Sequence, residues 1–184
     1  MAQAIGRQSR LTAEERQRVN RWLARLPYYR QGVRVVAGEG LKDMHAASFV
    51  PQRRIVLDRR LLRRQRELAR ILYHEIFHFV WFRLGNPLRQ SYGRLLRREW
   101  AEGARGELGW SAEGRKRVLR RGPARFRGRR WAEYVCESFC DSAAWFVLDA
   151  GGRAEHEEWT LKPRFRQRRA QWFRTSDLLP RLRL

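Results

Sequence analysis

Between Ile71 and Leu84 the chain reads I-L-Y-H-E-I-F-H-F-V-W-F-R-L, an apolar run broken only by His74, Glu75, His78 and Arg83. A helix apolar on nearly every face belongs in a core. Two imidazoles and a carboxylate cannot enter that core cheaply unless something pairs them. The interruptions spell His74-Glu75-Ile76-Phe77-His78. Residues four apart share a helix face, so both rings can point at one ion. Glu75, one position along from His74, can reach a water held by that ion. Imidazole nitrogen is a favoured zinc donor, and a coordination position left open accepts water. The run therefore reads as a metal-bearing core helix. A core helix with merely hydrogen-bonded histidines is the blander alternative, and the triplet argues against it.

A catalytic zinc takes a third protein ligand. His45 and His156 are candidates. So is the segment Trp131 to Trp145, in which Glu137 and Asp141 stand four apart on an otherwise buried-looking helix. One carboxylate can bind the metal, and the other can accept the outer N–H of a metal-bound imidazole and fix its tautomer. Glu133, one turn before Glu137, is an alternative ligand. Cys136 and Cys140 are also four apart. On a helix they share a face but do not readily meet disulfide geometry, so they are expected to be reduced thiols filling the core. A His2Cys2 zinc site is the lesser reading of that pair.

H-E-x-x-H on one helix followed by E-x-x-x-D on a later one resembles the thermolysin-like gluzincin metallopeptidases. The resemblance covers about Ala46 to Trp145, and the short length resembles minimal gluzincins. It implies an α+β zincin-like fold, with a small antiparallel or mixed sheet packed on the active-site helix and on a second, glutamate-bearing helix. It implies zinc held by His74, His78 and Glu137, Asp141 behind them, and Glu75 as general base. It also implies a peptide or protein substrate lying extended along an edge strand near Ala46 to Val50. The edge-strand Asn-Ala motif of the thermolysin group has no clear match, and Ala46-Ala47-Ser48-Phe49-Val50-Pro51 is the nearest equivalent. Tyr134 and His156 are the candidates for a group that stabilises the transition state.

Charge raises a rival reading. The 184 residues hold 41 basic and 19 acidic side chains, a net charge of +22, and only Lys42, Lys116 and Lys162 are lysine. Such a surface attracts phosphate. The alternatives are a DNA-linked protease of the SprT-like kind and a non-catalytic zinc-containing protein that binds nucleic acid. The arginines are spread along the chain, with dense runs at 59–66, 115–130 and 164–169, and no base-reading motif accompanies them. Nucleic-acid binding is therefore expected to be weak and non-specific. No stretch has the pattern of a secretion signal or of a membrane span. The expectation is a single monomeric, cytoplasmic domain over residues 1–184.

Local signals order the chain. Thr12-Ala13-Glu14-Glu15 is a capping box that opens a helix from Ala13 to Leu26, stopped by Pro27. Val33 to Ala37 reads as a strand, and Ala46 to Val50 with Arg54 to Leu57 reads as a hairpin turning at Pro51. Asp58 can cap a helix over Arg59 to Leu84, which Gly85-Asn86-Pro87 ends. Further helices are expected over Ser91–Glu102, Ser111–Arg121, Trp131–Leu148 and Lys162–Arg174, with a loop over Arg120–Arg130.

Overall fold

A computed structural model describes residues 7–26, 32–41, 45–120, 126–148, 156–176 and 178. The chain is α+β, with six α-helices and a four-stranded mixed sheet among the described residues. It falls into two compact units, divided between Phe82 and Arg83.

The first unit carries the sheet. Strands β1 (Gln8–Ser9), β2 (Arg34–Gly38), β3 (Ala46–Phe49) and β4 (Arg54–Asp58) lie in the order β1-β2-β4-β3. The hairpin expected at Pro51 forms, and it pairs Ala46 with Leu57 and Phe49 with Arg54 in antiparallel register. Its turn closes through the Arg53 N–H donating to the Val50 carbonyl at 3.1 Å. β2 runs parallel to β4, and β1 runs antiparallel to β2. Among the described residues β3 is thus an edge strand. Ile55, Val56 and Leu57 are wholly buried, as the apolar run of β4 requires of a strand covered on both faces.

Helix α1 (Ala13–Leu23) starts at the predicted capping box: the Glu15 N–H donates to Thr12 Oγ1 at 3.2 Å, and the Thr12 N–H donates to Glu15 Oε2 at 2.9 Å. It ends three residues short of Leu26. The helix expected from Arg59 is divided. Asp58 accepts from the Arg60 N–H at 2.8 Å, but the next segment is a 3-10 turn, Leu61–Arg63, that buries two adjacent leucines. Arg64 leaves helical geometry at ψ 88°, and α2 runs over Gln65–Arg83. The Tyr73 hydroxyl on α2 donates to the Trp22 carbonyl at 2.8 Å, and the two rings meet edge to face.

The second unit is helical: α3 (Asn86–Ala101), α4 (Trp110–Arg120), α5 (Gly128–Leu148) and α6 (Pro163–Thr175). α3 begins five residues before the expected start, because Gly85 caps it and Pro87 sits in its first turn, where a missing N–H costs nothing. α5 begins three residues early, at Gly128. Part of the expected 120–130 loop, residues 121–125, and the Pro27 stop lie outside the described residues. No helix among the described residues is long and apolar enough to cross a membrane.

Four charged side chains lie in the middle of this unit. Arg169 is fully buried and donates to Glu99 at 2.7 Å, Glu107 at 2.7 Å, and the Ser138 and Ser142 hydroxyl oxygens at 3.0 Å each. Lys116 donates to Glu107 and to the Gly106 carbonyl at 2.7 Å each. Tyr134 donates to Glu107 at 2.6 Å. The two cations and two carboxylates sum to zero charge. Burial alone would raise the Glu107 pKa, but Arg169 and Lys116 bring it down to about 2.

Candidate metal centre

α2 holds the motif, and its periodicity does what the sequence requires. His74 and Glu75 are buried and His78 is half-buried. The two Nε2 atoms stand 3.2 Å apart, with ring planes at 78° and centroids 4.9 Å apart. Two zinc–nitrogen bonds of about 2.0–2.1 Å at a tetrahedral angle separate their nitrogens by about 3.3 Å. The imidazole pair therefore fits a shared zinc without rearrangement. Neutral rings can also share an N–H···N bond at this spacing, so the distance gains its meaning from the carboxylate beside it.

That carboxylate is directed at the sheet. The Ser48 hydroxyl on β3 lies in very short hydrogen-bond contact with Glu75 Oε2, and 3.0 Å from the Glu75 backbone carbonyl. A hydroxyl has one proton, so it serves one of these acceptors at a time. The residue that tethers Glu75 thus comes from the strand expected to bind substrate.

In the second unit, α5 carries the expected carboxylates. Glu137 is half-buried, with Oε1 3.1 Å from Arg115 Nη2. Asp141 is buried, and its Oδ2 accepts from the Ala112 N–H at 3.1 Å, inside the first turn of α4. An anionic oxygen there satisfies an otherwise unpartnered helix N–H and meets the positive end of the helix dipole. The chain reaches that contact because residue 109 is glycine: a Cβ would stand 2.4 Å from the Asp141 carboxylate. Glu158 accepts from the Trp110 N–H at the same helix start, at 3.1 Å.

The remaining candidates have other engagements. Tyr134 is fully buried, its hydroxyl is bonded to Glu107, and burial followed by that carboxylate pushes its pKa far up. His156 Nδ1 accepts from the Glu158 N–H at 3.2 Å. Glu133 pairs at 2.7 Å with Arg129, a largely exposed side chain. Cys136 is half-buried and Cys140 buried. Their sulfurs lie within 4.8 Å of each other, and neither forms a disulfide. Burial and then Cys136 push the Cys140 thiol up, which disfavours its thiolate.

Sequence reasoning missed Ser48, Arg115 and the buried charge cluster. A serine in a strand and one arginine among many give no periodic signal. Among the described residues, the imidazoles of His74 and His78 on α2 and, each within its own unit, the Glu137 carboxylate and the Cys136 and Cys140 thiols on α5 are donors of the kinds that hold a metal ion. Compared with known proteins, the chain matches no family model, no curated protein and no solved structure.

Proposed function

We propose that this chain is a zinc-dependent metallopeptidase of zincin-like type, with His74, His78 and Glu137 as ligands and Glu75 as the general base. The observation that carries the reading is the 3.2 Å approach of the two Nε2 atoms, with the Glu75 carboxylate one residue away on the same helix. Bound zinc would supply a water whose pKa falls to about 7 and a Lewis acid for the scissile carbonyl. Glu75 would act as the base toward that water and pass the proton to the leaving amine. The substrate lies extended against the edge of β3, where backbone pairing holds it and gives little preference for side chains. Asp141 supports the α5 carboxylate ligand from one turn away.

Metal analysis of protein purified without added metal tests this first. Near-stoichiometric zinc is expected, and His74→Ala should lose most of it. Full zinc in that variant refutes the ligand assignment. Zinc-bearing wild type with no turnover of casein or a peptide library refutes the peptidase.

A second reading is the His2Cys2 site that the sequence also allows, and it is favoured by the Cys136 and Cys140 sulfurs, which form no disulfide and lie within 4.8 Å of each other on α5. Thiolate ligands would make the zinc structural and leave no place for a reactive water. X-ray absorption distinguishes the two: zinc–sulfur distances near 2.3 Å mark the structural site, and only nitrogen and oxygen at about 2.0–2.2 Å mark the hydrolytic one.

A further inference from the structure

Building on the metallopeptidase reading, we infer that Ser48 is a positioning residue for the base, and that it selects which oxygen of Glu75 takes the proton. The Ser48 hydroxyl lies in short contact with Glu75 Oε2. Ser48 is half-buried on β3, and its register partner is Ile55 on β4. The strand is therefore pinned on one side by the sheet, and the hydroxyl is presented at a fixed height above α2. Glu75 is buried, and the Ser48 hydroxyl meets its carboxylate at Oε2. A carboxylate on a two-carbon stem has several rotamers, and a general base must lie within about 2.6–3.2 Å of the proton it abstracts. Ser48 removes that freedom.

Because Oε2 is held by the serine, Oε1 is the atom that meets the water. The water O–H bond breaks and an Oε1–H bond forms. The hydroxide oxygen adds to the carbonyl carbon, and the oxyanion results. The proton then leaves Oε1 for the amide nitrogen as the C–N bond breaks, and Glu75 is again a carboxylate. The Ser48 proton stays on Ser48 throughout. Because Ser48 stands in the strand that pairs with substrate, docking of the substrate backbone and aiming of the base are mechanically one event.

Ser48→Ala and Ser48→Thr test this, with zinc content measured for each. Ser48→Thr keeps the hydroxyl and suits a strand, so it should retain wild-type behaviour. Ser48→Ala should keep its zinc and its KM and lose kcat by on the order of tenfold or more, since general-base catalysis contributes about 10²–10⁴ and mispositioning forfeits part of it. A crystal structure of each form provides a readout independent of turnover: Glu75 should hold one rotamer against the hydroxyl in wild type and Ser48→Thr, and should depart from it in Ser48→Ala. Wild type without zinc or turnover refutes the metallopeptidase and leaves the crystal structures to judge the tether. An unchanged Glu75 rotamer in Ser48→Ala, or unchanged kcat in a zinc-bearing Ser48→Ala protein, overturns the role of Ser48.

Discussion

Replacing Arg169 with methionine should unfold the second unit more readily than any surface change, because it strips one charge from a neutral buried quartet. Methionine keeps much of the arginine volume, so the loss is electrostatic and not a cavity. In the wild type, Arg169 satisfies Glu99 with bonds of 2.7 to 3.3 Å and shares Glu107 with Lys116. After the change Lys116 still serves Glu107, but Glu99, only 1% exposed, is left in the core without that guanidinium. Removing one partner from a buried pair costs about 3–5 kcal/mol. Glu107 gives an independent scale. Its pKa drops from 4.5 to about 2, and each unit is worth about 1.4 kcal/mol, so the cluster stabilises the ionised carboxylate by about 3 kcal/mol. Because the folded value is depressed, this stability is present above pH 4.5 and is lost as the pH falls toward 2. Urea unfolding read by tryptophan fluorescence, at pH 7 and at steps down to pH 2.5, measures both. With a slope of about 2 kcal/mol per molar urea, the midpoint should fall by about 2 M at pH 7. The wild type should weaken below pH 4.5, and the gap between the two proteins should narrow there. Adding Glu99→Gln to Arg169→Met should recover part of the loss, since the stranded carboxyl group is gone. A midpoint shift below about 0.5 M at pH 7, or no recovery in the double variant, would refute the account of a charge-balanced core.

Glu75→Gln is expected to keep the zinc and the fold and to abolish hydrolysis; turnover on the best substrate found, equal to wild type, removes Glu75 from the base role. Thiol titration of denatured protein without reductant should count two thiols per chain, for Cys136 and Cys140, and a count near zero would contradict the absence of a disulfide. Nucleic-acid binding should be weak, indifferent to sequence and steeply reduced between low and physiological salt, as contacts to phosphate alone require. Affinity that survives physiological salt, or a preference for one nucleic-acid structure, would put the DNA-linked protease first.

Local grammar made much of the fold legible. The Thr12 box, the turn at Pro51 and the helix ends near Gly85 are written in residues a few positions apart, and each acts where it stands. Gly85-Asn86-Pro87 is readable twice: as the end of α2 and, through a proline tolerated in a first turn, as the immediate start of α3. The parallel pairing of β2 with β4 is not readable, because it joins strands separated by another strand and depends on contacts distant in sequence. β1, two residues long, carries no period at all. Within the candidate site, His74, Glu75 and His78 stand out because a polar triplet in an apolar helix is costly without a purpose. Glu137 and Asp141 stand out by their spacing. Ser48 does not, since its meaning depends on which strand faces which helix. Arg169 and Lys116 do not either: nothing in the sequence separates a cation that will be buried from the many that stay in water.

The edge of β3 has a colloidal aspect. A row of N–H and C=O groups that can receive a substrate strand can equally receive the same strand of another copy. Arg54, the register partner of Phe49, lays its guanidinium over that ring at 4.5 Å, so a charge covers the most adhesive side chain of the edge. At +22, two copies also repel one another long before their edges meet. Salt confines that repulsion to separations of about 8–10 Å at ordinary ionic strength. If β3 receives substrate as proposed, the arginine excess would have a use that requires no polyanion: it would leave the edge open to strangers and closed to kin.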